Sequence, residues 1–265
     1  MTEIIPAPET VKTEPHADKR QGKRRYSLID SCRGLVLISM ILYHGAYDWM
    51  YLFGGEIPWY EGPLGYLWQQ SICWGFILLS GISWRLGANH LKRGLTVFFW
   101  GLVISAVTCL VAPQQRIIFG ILSFMGFAMV LLIPFKGIME RAPAFWGFFL
   151  SAFLFFLTRD INEGWLGFEG LRILSLPESL YNGGGLFFLG FPGPDFYSAD
   201  YFSVFPWIFL YLCGYFLWRL LEKKPGLRRF FSREIPVLSF LGRHSLLLYV
   251  LHQPALMGVF TALGL

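Results

Sequence analysis

The sequence predicts an all-α integral membrane protein: a bundle of about seven transmembrane helices with a cytoplasmic N-terminus and an extracytoplasmic C-terminus. Three observations predict it. Of the 265 residues, 55% are hydrophobic and 18% aromatic against only 15% charged, well away from the balance of soluble chains. Apolar runs close to the roughly 20 residues that a spanning helix needs recur at about 30–53, 64–84, 94–112, 117–135, 143–158, 202–220 and 236–260. Lysine and arginine collect on alternate connections, as the positive-inside bias requires.

The ends of these runs carry helix punctuation. Ser27-Leu-Ile-Asp30 reads as a capping box opening the first helix, and Pro63, Pro113, Pro143 and Pro236 sit near later boundaries. Ser80-Gly81 in the second run is a small pair that lets another helix approach closely. One side of the bundle receives Lys19, Arg20, Lys23, Arg24 and Arg25, then Arg85, Lys92 and Arg93, then Lys136 and Arg141, and finally Arg219, Lys223, Lys224, Arg228, Arg229 and Arg233. The other side receives Arg116, Arg159 and Arg172. Adding or dropping one span would scatter these charges over both faces. Residues 1–25 form a proline- and charge-rich basic tail that is too polar to fold alone, expected to be disordered in the cytoplasm. A cleaved signal peptide is not expected, because the first apolar run is too long and too far from the start. The segment at about 159–201 is an external loop longer than ordinary connections, and its aromatic rings suit the apolar faces of sugars.

The net charge of +5 and the pI near 9.0 come without a basic domain or an aromatic RNA-binding motif, so topology rather than nucleic acid accounts for them. Cys32, Cys73, Cys109 and Cys213 are widely spaced in apolar surroundings and pair with no histidine at zinc-ligand spacing. They read as small hydrophobes, and no metal is expected.

Within the first span, Arg33, His44 and Asp48 are ionisable groups where lipid would penalise them, which makes them functional candidates. Eleven helical steps of about 100° bring His44 within about 20° of Arg33, some 16 Å along the axis. One stripe thus joins a fixed cation near the cytoplasmic end to a candidate general base beyond the midplane. Asp48, four residues on, is placed to orient that imidazole. The last run opens LGRHSLLLYVLHQP, with Arg243 and His244 at its cytoplasmic end and a polar stripe of Ser245, Tyr249 and His252. Interhelical hydrogen bonding accounts for Ser245 and Tyr249, whereas His252 stays open. Before the sixth run, Asp200 is placed to cap a helix, and Trp207 lies one or two turns inside.

The combination of SLIDSCRGLVLISMILYH, FILLSG, IIFGILSFMGFAMVLL, SADYFSVFPW and LGRHSLLLYVLHQP resembles the bacterial relatives of heparan-alpha-glucosaminide N-acetyltransferase, in order over nearly all of the chain after Arg25. The Arg33–His44 spacing is also similar to the first-helix motif of membrane O-acyltransferases that modify bacterial surface polysaccharides. The resemblance implies that residues 26–265 form a transmembrane acyltransferase domain in the inner membrane. Such an enzyme moves an acetyl group from cytosolic acetyl-CoA to an amine or hydroxyl of an extracytoplasmic saccharide. By position, His44 matches the catalytic histidine of the O-acyltransferase pattern and Arg33 the arginine associated with donor binding. The lysosomal N-acetyltransferase pattern instead has asparagine at the position of His44 and its working histidine later, so either His44 or His252 is the essential histidine here.

In this reading His44 and Asp48 are catalytic, and Arg33 and Arg243 hold the donor's phosphates. Asp200, Tyr201, Trp207 and His252 contact the acceptor. The partners are membrane lipid and a saccharide, with a homo-oligomer left open and no nucleic acid. Two rival classes remain: a transporter or flippase of a small or lipid-linked substrate, and a non-enzymatic membrane subunit. No inverted repeat or matched pair of broken helices in the sequence favours the first.

Overall fold

Proline and glycine decide where the helices begin and how closely they cross. The computed structural model describes residues 26–264, so the 1–25 tail lies outside the described residues. The chain is mostly helical. It runs through α1 (Ser27–Tyr51), α2 (Pro63–Leu86), α3 (His90–Val111), α4 (Ile121–Leu131), α5 (Lys136–Arg141), α6 (Ala144–Leu157), β1 (Trp165–Phe168), β2 (Leu171–Ser175), α7 (Val204–Leu221), α8 (Pro225–Phe231), α9 (Pro236–Arg243) and α10 (Ser245–Ala262). Four of the described helices, α1, α3, α7 and α10, are long and apolar enough to cross a membrane, while α4 and α6 are apolar but shorter. Pro63 and Pro236 are first residues of their helices, and Pro143 immediately precedes α6. At these places the missing proline N–H would have had no helical partner.

Four local expectations change. The capping box does not form: Ser27 lies inside the first turn, no side chain caps α1, and Asp30 engages Arg33. The run at 117–135 holds only the eleven-residue α4. The residues before it are held in irregular backbone, with Phe119 in the left-handed region (φ 55°), where Ala199 N–H donates to Arg116 O at 3.0 Å and Phe202 N–H to Phe119 O at 3.0 Å. After it, Pro134 opposes further helix. The run at 236–260 is broken at His244, whose N–H is shared between the carbonyls of Phe240 (3.2 Å) and Leu241 (3.1 Å), a tightening that turns the chain. The bundle is also not purely helical. The loop after α6 contains an antiparallel β1–β2 hairpin whose two turn residues, Glu169 (φ 49°) and Gly170 (φ 89°), take the left-handed conformations that suit the strand twist. The Asp160 carboxylate accepts both turn amides, at 3.1 and 2.8 Å.

Small residues set the crossings. A Cβ on Gly81 would lie 2.0 Å from the Tyr211 carbonyl oxygen, and one on Gly214 2.2 Å from that of Leu78, so α2 and α7 touch backbone to backbone. This is the close approach expected of Ser80-Gly81. Likewise α9 lies on the start of α1. Cβ atoms on Gly34 and Gly242 would meet Leu238 O at 2.1 Å and Asp30 O at 1.8 Å. The hydroxyls of Ser31 and Ser239 share a hydrogen bond of 2.7 Å there. Without water, such contacts replace the hydrophobic effect as the force between helices.

The core lies where α1, α2, α4, α6 and α7 meet, and Leu37, Ile77, Phe124, Tyr211 and Tyr215 are fully buried in it. By contrast α3 buries only Gly94 and Gly101, and α10 has no fully buried residue. Arg219 of α7 donates to the carbonyls of Met139 (2.5 Å), Glu140 (3.0 Å) and Ala142 (2.7 Å), holding the open end of α5.

Candidate active site

The polar side chains of α1 fall into two groups, one at each end. Near the start, Arg33 ties three helices together: it donates to Asp30 Oδ1 at 2.8 Å, to Ser83 Oγ of α2 at 2.5 Å and to the Gly242 carbonyl of α9 at 3.4 Å. The next residue, Arg243, pairs with Glu234 at 3.1 Å and is partly exposed. Both proposed donor-binding arginines therefore sit at one α1–α9 corner. Arg33 is locked in place, whereas Arg243 is held by a single exposed ion pair.

Towards the other end of α1, the structure joins two residues far apart in sequence. The rings of His44 and His252 face each other across α1 and α10, 4.9 Å between centroids and 52° between planes. His252 Nδ1 lies 2.5 Å from the Tyr249 carbonyl oxygen. A carbonyl can only accept, so Nδ1 carries the hydrogen and Nε2 the bare lone pair. That Nε2 is buried without a hydrogen-bond partner. Tyr43 packs edge-on to His44 at 6.0 Å, Tyr249 lies 5.4 Å from His252, and Phe76 of α2 lies 6.2 Å from Tyr249.

Asp48 is fully buried, but its two oxygens each accept from Gln253 Nε2 at 2.8 Å. The expected pairing with His44 is thus replaced by a bond to α10. Helical spacing alone put Asp48 on the stripe of His44; that stripe is covered by α10, whose amide reaches the carboxylate first. Between the two ends of the stripe, Leu37 and Met40 are packed into the core, 0% and 3% exposed.

Asp200 caps a helix, though not its own. Its Oδ2 accepts the N–H of Ile121, the first residue of α4, at 3.1 Å, satisfying one orphan donor of that helix end. Burial pushes the Asp200 carboxyl up to about 6, with the Ile121 N–H pulling the other way. Tyr201 donates to the Phe187 carbonyl and packs on Phe196 within the loop. Trp207 is buried between Phe155 and Phe202, with the Arg159 guanidinium 5.0 Å above its ring. The structure therefore sets His44 against His252 with Tyr249 beside it, places Asp200 on the start of α4, and packs Tyr201 and Trp207 against aromatic neighbours.

Gln253 and Ser83 were not singled out from the sequence. An amide beside His252 in an apolar helix is a visible signal for the first; nothing in the sequence ties Ser83 to an arginine fifty positions earlier. Among the described residues, no group of three or more His, Cys, Asp or Glu side chains is placed to hold a metal ion.

No curated protein and no solved structure matches the chain. The family model described as heparan-alpha-glucosaminide N-acetyltransferase, catalytic, matches residues 25–254. That span contains Arg33 and Arg243, both imidazoles, and the Asp48–Gln253 bond that closes α10 on α1. The chain belongs to the heparan-alpha-glucosaminide N-acetyltransferase catalytic family.

Proposed function

We propose that the chain is a seven-span inner-membrane enzyme that transfers an acetyl group from cytosolic acetyl-CoA to an amine or hydroxyl of an extracytoplasmic saccharide. Family membership makes it an acetyltransferase, and its long apolar helices make it a membrane protein. The seven spans and their orientation rest on the lysine and arginine distribution. The observation that carries the site is the His44–His252 pair, the place in the described bundle where two imidazoles meet.

The transfer needs a base where the acceptor attacks. The acceptor's nitrogen or oxygen bonds to the acyl carbon, the carbon–sulfur bond breaks, and the acceptor's proton passes through an imidazole to the departing thiolate. His44 serves as that base or first takes the acyl group itself. Arg243 and Arg33 sit where the phosphates of coenzyme A would enter, and a guanidinium fork suits phosphate. The thioester arm then has to displace Met40, whose unbranched side chain repacks more readily than Leu37.

The test uses purified protein in detergent with labelled acetyl-CoA and a glucosamine glycoside. His44→Ala is expected to lower transfer by at least about 100-fold while donor binding and the folded state persist. Full transfer by that variant would remove His44 from the chemistry.

A transporter remains the second reading, because the break at His244 and the short α4 with its enclosed start resemble the discontinuous helices of transporters. Movement of intact saccharide across vesicles, independent of coenzyme A, would support it.

A further inference from the structure

The hydrogen bonding of His252 distinguishes the two imidazoles, and this inference rests on the acetyl-transfer reading above. The Tyr249 carbonyl holds the hydrogen on Nδ1, so Nε2 is the unprotonated nitrogen of the ring. A buried nitrogen lone pair with no partner is an open acceptor position, and such positions are costly unless a ligand's donor completes them. His44 has no such backbone tether and its ring stands 4.9 Å away. We propose that His252 Nε2 receives the acceptor's proton, that the acceptor's O–H or N–H is the missing donor to this nitrogen, and that His44 carries the acyl group.

The steps balance as follows. A nitrogen of His44 attacks the thioester carbonyl, the carbon–sulfur bond breaks, and the proton from the other ring nitrogen leaves with the thiolate as free thiol. The saccharide nucleophile then bonds to the acetyl carbon while its proton moves to His252 Nε2. The carbon–nitrogen bond to His44 breaks, and the proton returns from His252 to His44, restoring both rings. Neither step needs a metal or an oxidant. Rings 4.9 Å apart between centroids fit this return through one bridging water.

The reading assigns different half-reactions to the two residues, and that separates it from a structural role. Wild-type protein, mixed rapidly with acetyl-CoA alone, is expected to release about one thiol per protein and then to turn over when a glucosamine glycoside is added. His252→Ala should keep the thiol burst to within about threefold, yet lose transfer to the glycoside by about 100-fold or more. Added imidazole should restore part of that loss. His252→Gln, which keeps a polar group on the helix, should behave like the alanine variant in the burst but show no less stability than wild type in detergent. The assignment to His252 is overturned if His252→Ala transfers at the wild-type rate, or if a stably folded His252→Gln loses burst and transfer alike. Wild-type turnover without a burst would overturn the carrier role of His44 while leaving acetyl transfer standing. No thiol release and no turnover by the wild type would overturn the acetyl-transfer reading as well.

Discussion

Single side chains were legible in the sequence by type and by helix face, but not by partner. Arg33, His44 and Asp48 stand out because ionisable groups are costly in an apolar span, and in the structure each meets a residue of α9 or α10. What the stripe meets is a property of α10, more than two hundred positions away, so Gln253 rather than His44 takes the Asp48 carboxylate. Asp200 shows the same limit: its capping role was visible, its helix was not. It also carries a pH dependence. Its folded pKa is raised from 3.8 to about 6, so between those values the folded chain holds a proton that the unfolded chain has released. Stability is then greatest below about pH 4 and falls as pH rises through 6. Asp200→Asn keeps an oxygen for the Ile121 N–H and removes the titration. Thermal unfolding in detergent from pH 4 to 6.5 should show a decline for the wild type that is flattened in this variant; equal slopes would exclude Asp200 as its source.

Helices were legible where apolar length and proline agreed, as at α2, α6 and the start of α9. They were misread where hydrophobicity continued through a break. The run at 236–260 is apolar throughout, and the turn at His244 depends on α9 lying against α1 through Gly34, Ser31, Ser239 and Gly242, contacts that no local window contains. The hairpin was hidden for a similar reason, since its Glu-Gly turn is stabilised by Asp160 from outside the hairpin. Glycine roles give a direct test at this scale. Gly81→Ala would drive its Cβ into the Tyr211 carbonyl, whereas at Gly137 of α5 nothing lies within 4 Å. The first should cost roughly 1–3 kcal/mol by overpacking, and the second should gain up to about 1 kcal/mol in helix propensity. Chemical unfolding of the two variants side by side would show it, and equal stabilities would mean that the α2–α7 crossing yields freely.

For the molecule as a whole, composition announced the membrane, and the charge asymmetry supplied an orientation that the fold alone does not state. Cysteine labelling can test it in a chain whose four cysteines have been replaced. Gly183 and Gly226 both have open space around a new side chain. On intact cells an impermeant maleimide should label Gly183→Cys, whereas Gly226→Cys should react only after permeabilisation; the reverse would invert the orientation. The seating of α10 has a further consequence. This helix carries His252 but has no fully buried residue, and it is held by the α9 elbow, the Gln253–Asp48 bond, the partly buried Leu246, Leu248, Tyr249 and Val250 against the core, and the 4.7 Å contact of Phe260 with Phe53. On warming, a helix without a fully buried residue should lift before the interior melts, drawing the two rings apart while circular dichroism still reports nearly all of the native helix. Heat should therefore silence the protein several degrees before it unfolds it, and a covalent tie between α10 and α1 should close that gap.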